Sequence, residues 1–93
     1  MTAKLLSENE LITIQQSLPE WKLQSRKLCR EWTFKDFVEA FGFISKVALL
    51  SQEMNHHPEL KNVYSSVRIE LTTHDLGGLS NLDIQLARAI DSL

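Results

Sequence analysis

The chain has 93 residues, 43% of them hydrophobic and 24% charged, with a formal net charge of −2. This length predicts one domain spanning residues 1–93, and the hydrophobic content excludes an intrinsically disordered chain. The small net charge gives no electrostatic case for binding nucleic acid or a membrane surface, and the N-terminal residues lack the apolar run of a secretion signal or a membrane span.

The first third of the chain predicts a helix followed by a β-hairpin. Ser7 and Glu10 have the spacing of a capping box, so we expect a helix that begins there and stops before Pro19. Apolar and polar residues then alternate on both sides of a polar turn at residues 25–27, which predicts two strands. Arg30 falls on the apolar side of the second strand, where we expect its stem to pack and its charged head to reach water.

The longest predicted element is a helix over about residues 35–54, and it carries two apolar stripes. The first stripe is Phe37, Phe41, Ile44 and Ala48, and the second is Phe43, Val47, Leu50 and Met54. At about 100° per residue the stripes lie roughly 120° apart, so one small sheet covers only one of them. We therefore predict a homodimer or homotetramer in which Phe43, Val47 and Leu50 pack between subunits.

The rest of the chain predicts a second hairpin and a C-terminal helix. Alternation over residues 67–71 indicates a strand, Gly77-Gly78 suits a tight turn with positive φ, and Ser80 with Asp83 repeats the capping box. The last helix is predicted to bury Leu82, Leu86, Ala89, Ile90 and Leu93. The order α-β-β-α-β-β-α predicts an α+β fold, with a four-stranded antiparallel sheet and three helices packed on one face.

All three histidines lie in two short segments, Asn55-His56-His57-Pro58 and Thr72-Thr73-His74-Asp75. Imidazole has an unperturbed pKa of about 6.5, so it exchanges protons near neutral pH, and its clustering indicates a site. Adjacent residues of a regular strand point to opposite faces. His56 and His57 can therefore share a site only where the backbone is irregular, which Pro58 favours by restricting His57.

The pattern His56-His57-Pro58, then Tyr64, His74 and Asp83, together with TTHDLGGLS over residues 72–80, resembles the pterin-4a-carbinolamine dehydratase family. The resemblance runs from about residue 11 to the C-terminus. It implies dehydration of 4a-hydroxytetrahydropterin (of the 4a-hydroxytetrahydrobiopterin type) to quinonoid dihydropterin, which would support pterin recycling. The substrate would be a small pterin, and the resemblance implies neither a cofactor nor a metal.

The resemblance also implies roles for individual residues. His56, His57 and His74 would be catalytic: His56 and His74 would give protons to the departing hydroxyl, and His57 would orient the pterin ring. Proton transfer of this kind contributes about 10²–10⁴-fold to a rate. The expected substrate-binding residues are Pro58, Thr73 and Asp75, whose backbone groups would hydrogen-bond the amide-like edge of the ring.

Two positions depart from the family pattern. Leu60 stands two residues after Pro58, where the family usually has tryptophan, and Gln52 stands four residues before His56, where many members are acidic. If the family tryptophan walls the pterin pocket, Leu60→Trp is expected to tighten pterin binding by adding aromatic contact.

The same residues allow other interpretations. His56 and His57 also suit a helix end, where cations complement the dipole, and Asp83 suits the acidic half of a capping box. Tyr64 suits a packed aromatic residue. A catalytic zinc ion needs three protein ligands, but adjacent histidines seldom reach one ion and the chain has no HExxH or CxxC.

The remaining alternatives concern Cys29 and the type of function. Cys29 lies in a predicted strand without a nearby histidine, and a single cysteine cannot form an internal disulfide, so we expect a reducing, cytoplasmic location. Some animal members of the family also serve as dimerisation partners of a homeodomain transcription factor. A protein-binding or assembly role with weak or lost dehydratase activity therefore stays open, without direct contact to nucleic acid.

Overall fold

The computed structural model describes residues 2–93, and its elements follow the order α-β-β-α-β-β-α that the sequence predicts. The helices are α1 (Glu8–Ser17), α2 (Phe37–Met54) and α3 (Asn81–Asp91), and the strands are β1 (Lys22–Gln24), β2 (Lys27–Thr33), β3 (Glu59–Val63) and β4 (Ser66–Leu71). A short 3₁₀ turn, His74–Leu76, follows β4. Within residues 2–93, no helix combines the length and apolar character needed to span a membrane.

Local side-chain chemistry sets where each helix begins. Both predicted capping boxes are present, Ser7 with Glu10 at α1 and Ser80 with Asp83 at α3. Helix α2 begins two residues later than predicted, because Asp36 caps it by accepting a hydrogen bond from the Glu39 N–H at 2.8 Å. These caps satisfy backbone donors that the first turn of a helix leaves unpaired.

The four strands form one antiparallel sheet in the order β1-β2-β4-β3. The pairs that face the helices across β2 and β4 are Leu28 with Leu71, Arg30 with Ile69 and Trp32 with Val67. Leu28, Val67, Ile69 and Leu71 are at most 1% exposed. Alternate residues of the central strands therefore build the floor of a single hydrophobic core, which the helices cover.

The second apolar stripe of α2, which was predicted to face another subunit, instead packs against the sheet of its own chain. Val47 is 0% exposed, and the Phe43 ring lies 4.9 Å from the Trp32 ring and 5.0 Å from the Phe34 ring. The prediction that Phe43, Val47 and Leu50 pack between subunits is therefore wrong, because β2 supplies aromatic partners for this inner stripe within the chain. In the outer stripe of Phe37, Phe41, Ile44 and Ala48, Ile44 packs at the margin of the core, whereas Phe37 and Phe41 are 47% and 53% exposed and Ala48 is exposed.

Helix α3 is held to the first hairpin by a polar contact beside the core. The Arg30 Nη1 lies 2.6 Å from the Asp91 Oδ1, which also accepts from the Trp21 Nε1 at 2.9 Å. The Arg30 guanidinium stacks 4.7 Å from the Trp32 ring centre. The Arg30 head is thus paired with Asp91 at a partly exposed position, and this pairing was not predicted. Leu93 was predicted to be buried but is 51% exposed, because it follows the end of α3.

The opposite face of the sheet carries an ionic network. The Arg68 Nη1 lies 2.7 Å from Glu31, its Nη2 lies 3.0 Å from Glu70, and these hydrogen bonds hold the pKa of the Glu70 carboxyl below its ordinary value of 4.5. Cys29 lies beneath this network with its Sγ 3.8 Å from Glu70. Burial raises the pKa of the Cys29 thiol, so a thiolate nucleophile is disfavoured there.

Candidate active site

The two histidine segments meet at one end of the sheet, where α2 ends, β3 begins and β4 runs into the 3₁₀ turn. Asn55 ends α2 in the left-handed region at φ 52°, and the His56 N–H donates to the Ser51 carbonyl at 3.0 Å. This irregular backbone lets the adjacent His56 and His57 line one cavity, as predicted. Gly77, at φ 71°, closes the 3₁₀ turn in a conformation that favours glycine.

The cavity is open to solvent and has a volume of about 240 Å³. Its lining residues are Asn55, His56, His57, Thr72, Thr73, His74 and Asp75. It therefore brings together the three predicted catalytic histidines and two of the predicted binding residues, Thr73 and Asp75. Pro58 starts the approach to β3 beside His57 but does not line the cavity, and neither does Leu60.

Tyr64 lies far from this cavity along the hairpin. It occupies the turn between β3 and β4, at the end of the hairpin opposite the histidines, with φ 53° and 67% of its surface exposed. The expectation that it packs within the chain is wrong, because the turn points its ring away from the core.

His56 is the buried histidine of the site. It is 9% exposed, and its Nε2 lies 2.6 Å from the Oδ1 of Asp83, which is itself fully buried. The second Asp83 oxygen accepts from the Thr73 hydroxyl at 2.8 Å and the Ser80 N–H at 2.9 Å. Asp83 thus caps α3 and holds His56 at the same time. Sequence reasoning found only the cap, because the contact with His56 joins residues 27 positions apart.

His57 is exposed and has a neutral partner. Its Nε2 lies 3.1 Å from the Oε1 of Gln52, in the last turn of α2. Gln52 stood out in the sequence only as a departure from the family pattern, and its contact with His57 was not predicted. The Gln52 amide orients the ring without adding a charge beside it.

His74 is an open imidazole, with 72% of its side chain exposed. Its Nε2 lies 3.6 Å from the Oε1 of Glu59, and the same carboxylate lies 3.2 Å from the Lys27 Nζ. The hydrogen bond from Lys27 to Glu59 raises the pKa of the Lys27 ammonium, which therefore stays charged. Neither Glu59 nor Lys27 was assigned a role from the sequence, because the two residues lie 32 positions apart, on strands that β4 separates.

The cavity suits proton transfer. Three other cavities are larger, of about 550 Å³ beside residues 76–79, about 430 Å³ between α1 and α3 and about 310 Å³ on the outer face of β3 and β4, but no histidine lines any of them. Among residues 2–93, no three His, Cys, Asp or Glu side chains are placed to hold one metal ion. The chemistry of the cavity is therefore that of three imidazoles with different partners: a buried carboxylate, a neutral amide and a shared, exposed carboxylate.

Known sequences resemble this chain over nearly its whole length. The family model for pterin 4 alpha carbinolamine dehydratase matches residues 4–93. A relative from Synechococcus sp. (strain WH7803) is 57% identical over 91 residues, covering 98% of each chain. A relative from Prochlorococcus marinus (strain MIT 9303) is 55% identical over 93 residues, covering 100% of this chain and 97% of the relative. Both relatives are provisionally named pterin-4-alpha-carbinolamine dehydratase.

Solved structures share the fold. A crystal structure of a transcriptional coactivator/pterin dehydratase from Brucella melitensis superposes with a TM-score of 0.89 at 35% identity, covering 96% of this chain and 97% of that one. A pterin dehydratase-like protein, described as a RuBisCO assembly factor in the alpha-carboxysome, gives a TM-score of 0.63 at 22% identity, covering 77% and 83%. The second likeness concerns the fold alone.

Proposed function

Because the chain belongs to the pterin 4 alpha carbinolamine dehydratase family, we propose that it dehydrates 4a-hydroxytetrahydropterin, of the tetrahydrobiopterin type, to quinonoid dihydropterin. In this reaction the C4a–O bond breaks and the hydroxyl takes a proton to leave as water. N5 loses its proton, and an N5=C4a double bond forms. The observation that carries the proposal is the convergence of His56, His57 and His74 on one open cavity.

The three partners suggest how the histidines divide this work. We assign proton donation to the 4a-hydroxyl to His56 and His74, which lie on separate segments and can approach the ring from different sides. His57 would orient the pterin from the rim, where its contact with Gln52 restrains the ring. Near-neutral imidazoles suit both steps, because one side chain can give a proton and later take one back. Asp75 would contribute to pterin binding from the cavity wall, and Pro58 from beside it.

Turnover of synthetic 4a-hydroxytetrahydropterin tests this assignment. His56→Ala and His74→Ala should each lower kcat by roughly 10–10³-fold, and the double variant should fall to the uncatalysed rate. His57→Ala should mainly raise KM. A fully active double variant that retains its fold would remove both residues from the mechanism. If dialysis against a chelator abolishes activity and zinc restores it, a metal mechanism replaces the acid/base one.

A second candidate is a protein-binding or assembly role on the same scaffold. The observation that favours it is the exposed apolar side of α2, where Val38 is 80% and Leu49 72% exposed beside the outer stripe. The Brucella melitensis relative is described as both a transcriptional coactivator and a pterin dehydratase. Absence of turnover in the folded wild type, together with a stable partner complex lost in Phe41→Glu, would favour this candidate over the enzyme.

A further inference from the structure

A buried polar cluster lies behind His56, and one of its members, Thr73, also lines the cavity. Asp83 and Ser80 are 0% exposed and Thr73 is 8% exposed. The Thr73 hydroxyl lies 2.6 Å from the Ser80 hydroxyl and 2.8 Å from the Asp83 Oδ2. Backbone groups near Thr73 were expected to bind the substrate, whereas the Thr73 hydroxyl is hydrogen-bonded within this cluster, which indicates a separate role for the side chain.

The number of hydrogens available fixes the direction of each bond. An ionised carboxylate only accepts, and a hydroxyl donates one hydrogen. Thr73 gives its single hydrogen to Asp83, so the hydrogen between the two hydroxyls must come from Ser80. The Ser80 oxygen in turn accepts from the Leu82 N–H at 3.2 Å, at the start of α3. The chain of donors therefore runs one way, from the helix backbone through Ser80 and Thr73 to Asp83.

Reversing this direction is unfavourable in the observed geometry. If Asp83 carried a proton on Oδ2, Thr73 would have to receive it and turn its own hydrogen toward Ser80. The Ser80 hydroxyl would then have no acceptor within this cluster, and a buried polar hydrogen without a partner destabilises the fold. The arrangement thus keeps Oδ2 as an acceptor, and an ionised Asp83 can only accept at Oδ1, the oxygen that faces His56.

We propose that Thr73 and Ser80 are positioning residues that act through Asp83 to fix the tautomer of His56. Asp83 accepts the Nε2–H of His56, so neutral His56 carries its hydrogen on Nε2 and leaves Nδ1 as the nitrogen available to a substrate. This inference rests on the proposed function, in that His56 would give the 4a-hydroxyl a proton from Nδ1 of its imidazolium form, and the neutral ring that remains would keep its hydrogen on Nε2. Carboxylates and hydroxyls behind a functional histidine fix its tautomer in this way in other sites.

Nitrogen NMR of histidine-labelled protein tests the tautomer without any activity measurement. At a pH where the ring is neutral, wild-type His56 should show a protonated Nε2 and an unprotonated Nδ1. Finding the hydrogen on Nδ1 would overturn the inference whether or not the protein is a dehydratase. If the hydrogen is on Nε2 but the wild type does not turn over 4a-hydroxytetrahydropterin, the proposed function is wrong, whereas the assigned tautomer of His56 is confirmed.

Variants test the positioning role. Thr73→Val removes the hydroxyl but keeps the shape, and it should lower kcat on the order of tenfold with little change in KM, while raising the Nδ1–H population of His56. Thr73→Ser keeps the donor and should restore both readouts. Thr33→Val, the same change on exposed Thr33 at the end of β2, is the matched control.

Ser80→Ala provides a second route if Thr73→Val does not fold, because it removes the donor to Thr73 and retains the Ser80 N–H to Asp83. It should lower kcat and alter the His56 signals in the same direction. Unchanged kcat and unchanged His56 signals in a folded Thr73→Val or Ser80→Ala protein would show that the hydroxyl chain does not position His56.

Discussion

The exposed side of α2 gives a prediction about assembly that can be worked out in numbers. Phe37, Val38, Phe41 and Leu49 are 47%, 80%, 53% and 72% exposed. Full burial of such a side chain contributes about 1.5–3 kcal/mol, so covering these exposed parts in two chains gives roughly 8–15 kcal/mol. Association costs about 4–15 kcal/mol in lost freedom and ordering. We expect a homodimer, or a dimer of dimers, that dissociates visibly on dilution.

Phe41→Glu should break this assembly without unfolding the chain. Losing two half-exposed phenylalanines from a two-fold contact removes about 3 kcal/mol, which weakens the dissociation constant more than a hundredfold. Light scattering over a concentration series should then give the monomer mass of 10.7 kDa, whereas the wild type should give at least twice that mass. Lys46→Glu, on the polar side of α2, controls for the added charge.

Val47→Glu tests whether the inner stripe of α2 stabilises the fold, in contrast to the outer stripe, which is expected to stabilise the assembly. Val47 is 0% exposed, so the change buries an unpaired charge and should destabilise the fold by more than about 4 kcal/mol, a large part of a domain's total. Denaturant unfolding should show this loss, while Phe41→Glu should stay within about 1 kcal/mol of wild type. A wild type that remains monomeric at all concentrations, or a Phe41→Glu protein with unchanged mass, would refute the interface.

Three smaller predictions concern binding and stability. Leu60→Trp should leave the pterin affinity measured by calorimetry nearly unchanged, since Leu60 does not line the cavity. A gain of about 1 kcal/mol in binding free energy would mean that the tryptophan side chain reaches the substrate. The pKa of Glu70 is lowered by its hydrogen bonds with Arg68, so its contribution to stability is present above pH 4.5 and is lost as the pH falls through the folded-state pKa. Glu70→Gln should therefore make the loss of stability in acid shallower in urea melts. Asp91→Ala should destabilise the fold by about 1–3 kcal/mol, because the Trp21 N–H loses its acceptor. The control is Ser92→Ala at the neighbouring position, which should change stability little.

The features predicted correctly were those encoded by neighbours in sequence. A capping box needs only Ser80 and Asp83 three residues apart, and strand alternation needs only every second residue. The histidine cavity was found because Pro58 signals an irregular backbone and the family pattern supplies the distant segment. The caps and strands depend on residues close together in sequence, and the histidine cavity was predicted from the family pattern.

The features missed depend on which surfaces meet in three dimensions. The inner and outer stripes of α2 have the same spacing and similar apolarity, so only the position of Trp32 and Phe34 decides which one is covered. Arg30 was assigned to water because nothing near it in sequence announces Asp91 at the far end of the chain. Such choices follow from the packing of the whole domain, which periodicity does not specify.

The contacts of the three histidines explain how one small cavity can distinguish them. His56 is held by a buried carboxylate that also caps α3, so its position is fixed by the same hydrogen bonds that start a helix. His74 shares Glu59 with Lys27 at the surface, where salt screens the interaction and 72% of the side chain is exposed. In the proposed reaction, the buried His56 would place one proton accurately, while the exposed His74 would leave the cavity open for the product to depart.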